Sequence, residues 1–263
     1  MPVGPNPAHI AVTPDGTKAY VTNAGANLVS VINTRTDSVT TTVKVQGSPV
    51  EVVIRGSRAY VINSGSNSVS VINTATNAVI ATVPVGRTPF DMAITPDGSQ
   101  AYVANTGANS VSVINTSTNL VTTTVAVGKQ PVDVGVTPNG AKVYVTNGES
   151  NSVSVINTRT NTVSATIKVG SAPVEVAVTP DGSKAYVTDS GANAVSVIKT
   201  STDSLVTSFA VGSYPTDIAL TMDGAKGYVA NTGSNSVSVV NTSRNRATSS
   251  VRVGHNLAEV VLH

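Results

Sequence analysis

The chain has no cysteine, no tryptophan and only two phenylalanines, and charged residues fill just 11% of its 263 positions. Each shortage removes a class of answer. Without cysteine there is no disulfide, no thiolate metal site and no cysteine nucleophile; that absence suits secreted prokaryotic proteins as well as cytosolic ones. Sixteen Lys and Arg against fourteen Asp and Glu leave a net charge of +2. The basic residues are scattered without forming a run, and aromatic rings are few. A phosphate-binding groove with stacking platforms is therefore not expected, and nucleic acid is excluded as the expected partner. No apolar run approaches the eighteen or so residues of a membrane span. The stretch Met1 to Gly4 has no signal-peptide pattern. A hydrophobic content of 40% with so little charge excludes a disordered chain.

What the chain has is a repeat. Tyr20, Tyr60, Tyr102, Tyr144, Tyr186 and Tyr228 stand 40, 42, 42, 42 and 42 residues apart. Each is followed by V-[TIA]-[ND], then a Gly-containing turn and a V-S-V-[IV] segment. A period near 42 made of short alternating segments predicts propeller blades, because helical repeats would show a 3.6-residue apolar periodicity. The repeat runs unbroken, so residues 1–263 read as a single domain. It is already under way at Val3, as expected of a mature fragment behind an added Met.

Each repeat resolves into four strands. In the fifth, Pro173 to Val178 is the first strand and ends at T-P-D-G, where Pro presets φ and Gly supplies a positive φ. Lys184 to Thr188 is the second strand and Val195 to Ile198 the third; a V-x-x-[TS]-x-x-V-G segment is the fourth. The segments are rich in Val, Ile and Thr, and the connections in Gly, Asn, Asp and Pro. Large and small residues alternate along the strands, as in Ser110-Val111-Ser112-Val113. A sheet with a knobbed face and a flatter face can stack on an identical neighbour at roughly 10 Å.

These residues resemble the YVTN-type β-propeller family, the surface-layer-like repeats of prokaryotes. Y-V-T-N stands at Tyr20 to Asn23 and at Tyr144 to Asn147, with near copies at the other four tyrosines and with S-V-S-V-I-N-T and T-P-D-G beside them. The resemblance covers essentially the whole chain. It implies an all-β fold, a β-propeller of four-stranded antiparallel blades, found outside the cell, at the cell surface or in the periplasm. Related propellers include lactonases and lyases, but no catalytic motif aligns here.

Residues 3–252 hold six complete repeats and 253–263 begin a seventh. Six blades are expected. The surplus first strand, Leu257 to Leu262, then competes with Ala8 to Thr13 for blade one. The alternative is a seven-bladed ring completed by further residues or by a second chain.

Candidate site residues follow from the repeat. Two residues after the loop proline stand His9, Glu51, Asp91, Asp133, Glu175, Asp217 and Glu259. The resemblance makes this the innermost strand, so these side chains are expected around one mouth of the central channel. Carboxylates about 7 Å apart repel by about 2 kcal/mol at an effective dielectric near 20. Something must offset that repulsion: backbone N–H donors tying blade to blade, or Ca²⁺ or another divalent cation, or a cationic ligand. Of the three histidines, His9, His255 and His263, the first two stand at the closure and with Glu51 or Asp217 extend the metal reading. The loops from fourth to first strand vary on a constant scaffold, which marks Arg87, Lys129, Tyr214 and His255 as rim contacts for a ligand. The repeated tyrosine is expected to pack between blades, and Lys18, Lys142, Lys184 and Lys226 to form a solvated set on the opposite face.

Three functions fit. The first is a non-enzymatic binding or scaffolding module that needs no cofactor and takes a protein, glycan or small molecule on the face carrying the fourth-to-first and second-to-third strand loops. The alternatives are a metal-dependent lactonase or lyase, and a self-assembling repeat protein, monomeric or joined by strand exchange.

Overall fold

The computed structural model describes residues 2–255 together with 257 and 260. Blade 1 shows how the repeat folds. Its strands Pro7–Val12, Lys18–Asn23, Leu28–Asn33 and Ser38–Lys44 pair antiparallel in chain order. The same meander recurs over residues 49–84, 89–126, 131–168, 173–210 and 215–252, which makes six four-stranded blades. Among the described residues there is no α-helix, only a three-residue 3-10 turn at Ser64–Ser66. Pro7–Val12 takes the first position of blade 1. Most of the competing stretch 257–262, Glu259 included, lies outside the described residues.

The turns are set by short polar side chains. In T-P-D-G the Thr13 hydroxyl donates to Asp15 Oδ1 at 2.6 Å, Asp15 accepts the Thr17 amide, and Gly16 adopts φ +69°. The equivalent Asp97 is held down to about pKa 2, first by the Thr95 hydroxyl and then by Ser99. Between third and fourth strands, Asn33 Oδ1 accepts the amides of Arg35 and Thr36, and Asp37 reaches positive φ. Asn and Asp tolerate that region because their side chains bond the local backbone.

The chain divides into two compact units, residues 1–124 and 125–263. Blade-to-blade packing follows one rule in both. In the first unit, Tyr20, Val29, Val31, Val43 and Val45 of blade 1 form one cluster with Val52, Ala59, Val61 and Ile72 of blade 2. In the second, Tyr144, Val153, Val155 and Ile167 of blade 4 meet Val176, Ala185, Val187 and Ile198 of blade 5, and blade 5 repeats the contact with blade 6. A forward face of Tyr and Val thus rests on the rear face of the next blade. Each Val so buried contributes roughly 1.5–3 kcal/mol relative to exposure.

The Y-V-T-N strand also supplies polar ties between blades. Tyr20 Oη donates to Asn77 Oδ1 at 2.6 Å, Tyr144 Oη to Asp203 Oδ1 at 2.7 Å and Tyr186 Oη to Asn245 Oδ1 at 2.8 Å, each in the next blade. The lysines expected as a solvated set do the same. Lys18 Nζ donates to the Thr74 carbonyl, Lys142 pairs with Asp203 at 2.8 Å, and Lys184 bonds Thr242 O and Asn245; Lys226 alone of the four is exposed. The correction has a physical cause: a lysine beginning the second strand is within side-chain reach of the neighbouring turn, whose carbonyl accepts its ammonium, at Thr74 and Thr242 together with a tyrosine hydroxyl.

The Asn that closes the motif is fully buried. Asn147 Nδ2 donates to Ser152 and Ser154 of its own blade, while Gly128 from the preceding fourth strand lies against its other side. A Cβ added at Gly128 would come within 2.6 Å of Asn147 Cγ. Gly128→Ala is therefore expected to lower stability by about 1–3 kcal/mol, the usual penalty of overpacking, as read from a denaturant melt. Gly16→Ala meets no atom within 4 Å and incurs only the strain of a positive φ, so its effect should be smaller.

Candidate functional site

The first strand of each blade begins at a proline and shifts register just after it; in blades 1, 4 and 5 the shift takes in His9, Asp133 and Glu175, whereas Glu51, Asp91 and Asp217 keep a paired partner. The Thr of the motif holds the shifted segment. Thr22 Oγ1 accepts the His9 amide at 2.9 Å, Thr146 the Asp133 amide at 3.0 Å and Thr188 the Glu175 amide at 3.1 Å. Thr146 also donates to the Val174 carbonyl of the next blade at 2.7 Å. The backbone that presents the acidic residues is therefore pinned from both sides.

The side chains at these positions reach for the following blade. Asp133 Oδ2 accepts the Val176 amide at 2.7 Å. The buried Asp217 accepts the amide of Val260. His9 occupies the same position, its Nδ1 accepting the Val52 amide at 3.4 Å. Charge-assisted bonds of this kind offset like-charge repulsion without a cation. Glu51, Asp91 and Glu175 are half-buried at the matching positions. Among the described residues no three His, Asp or Glu side chains converge on a point that can hold a metal ion. His255 is exposed, and Glu259 and His263 lie outside the described residues.

In the first unit these positions form a cleft. Ala8, His9, Val50, Glu51, Phe90 and Asp91 line a space of about 400 Å³. Phe90 is 51% exposed beside Asp91. Sequence reasoning passed over this residue, although the signal was present: the other blades carry Ala8, Val50, Val132, Val174 and Thr216 at its position.

The rim residues Arg87, Lys129, Tyr214 and His255 are all exposed. Their loops are held rigidly. Thr88, Ala172 and Tyr214 adopt positive φ, and their amides donate to Asn67, Asn151 and Asn193 at 2.8–2.9 Å. Tyr214 therefore projects from a fixed backbone.

Residues 98–198 match the family model of the YNCE-like beta-propellers. The match is consistent with a YVTN-type β-propeller repeat. No curated protein sequence matches the chain. Among solved structures, the propeller superposes on the hydrazine synthase of Kuenenia stuttgartiensis with TM-score 0.83 at 23% identity, over 98% of this chain and 91% of that one. It also superposes on a protein of unknown function from Desulfotomaculum acetoxidans (0.77, 20% identity, 95% and 87% covered). A candidate 6-phosphogluconolactonase from Bacteroides uniformis gives 0.79 at 16% identity, with 96% and 87% covered. At such identities the likeness shows the fold.

The propeller departs from its own repeat at Asp189, which stands where Asn23, Asn63, Asn105, Asn147 and Asn231 stand in the other blades. It is fully buried, and Ser196 Oγ donates to it at 2.6 Å. Burial pushes its carboxyl up to about 6, against the opposing hydrogen bonds from Ser196 and the Gly170 amide. Because the folded pKa lies above the unfolded one, the fold binds this proton more tightly. The cost is absent below about pH 4, grows between pH 4 and 6, and is complete above that. At 1.36 kcal/mol per unit it is on the order of 2–3 kcal/mol. Asp189→Asn is expected to raise stability at pH 7 by about 1–3 kcal/mol and to flatten the pH dependence of the melt between pH 4 and 6. An unchanged slope would contradict the assignment.

Proposed function

We propose that the protein is a non-enzymatic binding module whose ligand is taken on the loop-bearing face, with the cleft around Phe90 as its recognition point. The observation that carries this reading is the one large exposed ring on a first strand, set between Glu51 and Asp91 in a cleft that also holds His9. An aromatic face beside carboxylates suits a cationic or partly apolar group, because the ring and the carboxylates attract the same charge. The rigid loops favour binding by lowering the ordering cost. The carboxylates at Asp133 and Asp217 are already engaged with backbone amides, which suits a scaffold better than a catalytic acid.

The reading as a metal-dependent lactonase or lyase has the likeness of fold for support. It lacks a converging ligand set among the described residues. Calcium or another divalent cation remains the alternative occupant of the acidic positions. The cell surface or periplasm is proposed as the location from the resemblance to surface-layer-type repeats.

Benzamidinium is a suitable probe, with neutral benzamide of the same shape as control. Benzamidinium is expected to bind, by calorimetry or chemical-shift perturbation at Phe90, more tightly than benzamide, and Phe90→Ala or Asp91→Asn should each weaken it about tenfold. Equal binding of the two probes would refute the cationic preference. Exhaustive chelation should leave the melting temperature unchanged; a fall restored by Ca²⁺ would favour the divalent-cation alternative instead.

A further inference from the structure

The turn between first and second strands is shorter in blade 2 than in the other blades. The tyrosine spacing reflects it, 40 residues from Tyr20 to Tyr60 against 42 in the later repeats. Blade 5 has T-P-D-G-S-K at Thr179 to Lys184. Blade 2 has only Arg55-Gly56-Ser57-Arg58, with Arg55 paired to Arg58 across the turn. In the second unit the longer turns lie against the preceding blade: a Cβ built on Gly182 would stand 3.4 Å from Pro138 Cδ, and one on Gly224 3.2 Å from Pro180 Cδ. One built on Gly56 would meet nothing within 4 Å.

The shortened turn leaves a crevice between blades 1 and 2, inside the first unit and at the other end of the first strands from Phe90. It encloses about 420 Å³, against about 240 Å³ at the same seam between blades 5 and 6. Pro14, Gly56 and Ala75 give it an apolar wall, and Asp15 and Lys18 line it. The two arginines of the short turn are engaged with blade 3: Arg55 lies along Gly98, and Arg58 donates to the Thr116 carbonyl. The crevice therefore keeps one charge of each sign.

Those two charges do not neutralise each other by contact, since the one ion pair among the described residues is Lys142 with Asp203. The Thr13 hydroxyl, then the Thr17 amide and hydroxyl, hold the Asp15 carboxyl below the usual carboxylate range, so it is ionised at neutral pH. Lys18 Nζ donates to the Thr74 carbonyl alone. Lys142 adds the Asp203 carboxylate to the equivalent bond, and Lys184 adds Asn245 Oδ1. An ammonium carries three protons, so Lys18 has two to give to an oxygen from outside. The 2.8 Å contact of Lys142 with Asp203 shows that a carboxylate fits against a lysine at this place in the repeat.

We propose that this crevice binds a small zwitterion, a free α-amino acid, with its carboxylate on Lys18 and its ammonium on Asp15. An aliphatic side chain would lie along Pro14 and Ala75. A ligand with one charge is disfavoured, because an anion meets Asp15 and a cation meets Lys18. The volume falls within the roughly 300–1,000 Å³ of small-molecule sites. The site shares no residue with the Phe90 cleft and does not rest on that reading.

Titration with L-alanine, followed by chemical-shift perturbation at Gly56, Ser57 and Ala75, tests this. N-acetyl-L-alanine and L-alaninamide are the singly charged controls, and each should bind at least about tenfold more weakly than L-alanine. Asp15→Asn and Lys18→Gln should each weaken L-alanine by about tenfold. Both variants are expected to fold, because other blades carry Asn139 and Gln100 at these positions, and Asn139 makes the same turn bonds to Thr137 and Ala141. Replacing residues 55–58 by the sequence of residues 179–184 should close the crevice and abolish binding, while circular dichroism shows the fold retained. Failure of L-alanine to bind overturns the proposal. So do equal binding of the three probes, or full binding by the variant with the longer turn.

Discussion

The structure depends on the second strand of each blade, because every residue of Y-V-T-N serves the stacking of sheet on sheet. The Tyr hydroxyl reaches the turn of the next blade, as Tyr20 reaches Asn77 and Tyr186 reaches Asn245. The Val fills the rear-face cluster, as Val61 and Val187 do. The Thr pins the bulge of its own first strand and, at Thr146, also bonds the next blade. The Asn satisfies buried serine hydroxyls and lies against the glycine of the preceding blade. The hydrogen bonds of a four-stranded sheet would form in any meander of this composition. What makes these sheets stack in one way is that both neighbours are addressed from a single strand.

That arrangement has an energetic consequence. A blade that touches only its neighbours contributes its own stability plus one interface term on each side, so the array behaves as a one-dimensional stack. The same logic explains why a buried carboxylate is tolerated at Asp189. Blade 5 packs on blade 4 and on blade 6, and those clusters can carry a loss of a few kcal/mol.

Much of this was legible in the sequence for a stated reason. Alternation, turn residues and the tyrosine period are local, so four strands per repeat and six blades could be read directly. The role of the acidic positions was legible only as a choice between amide acceptor and cation ligand. Both need a carboxylate at the same place, and only coordinates show Asp133 reaching Val176. Lys142 was misread because composition marks lysine as solvated, whereas its partner Asp203 lies 61 residues away and is brought near by stacking alone. Phe90 and Asp189 were in plain view as departures from the repeat, yet a reading that searched for what recurs passed over what did not.

That last point bears on function. The recurring Tyr and Asn are accounted for by packing, with partners in the next blade for Tyr144 and in its own blade for Asn147. A ligand that is not itself a repeat must be recognised by what breaks the pattern. Phe90 is such a break, a ring where the other blades place Ala, Val or Thr, and it stands exposed beside an acidic residue. Tyr214 is another, an aromatic side chain on a positive-φ backbone position that the other blades fill with Asn6, Ser48, Thr88, Gln130 and Ala172. Holding a bulky residue at φ 54° carries a conformational cost. The cost is tolerated because the Asn193 side chain fixes the amide of Tyr214. A scaffold of near-identical blades thus supplies rigidity, and single substitutions at the starts of first strands supply the chemistry by which one place on it differs from the rest.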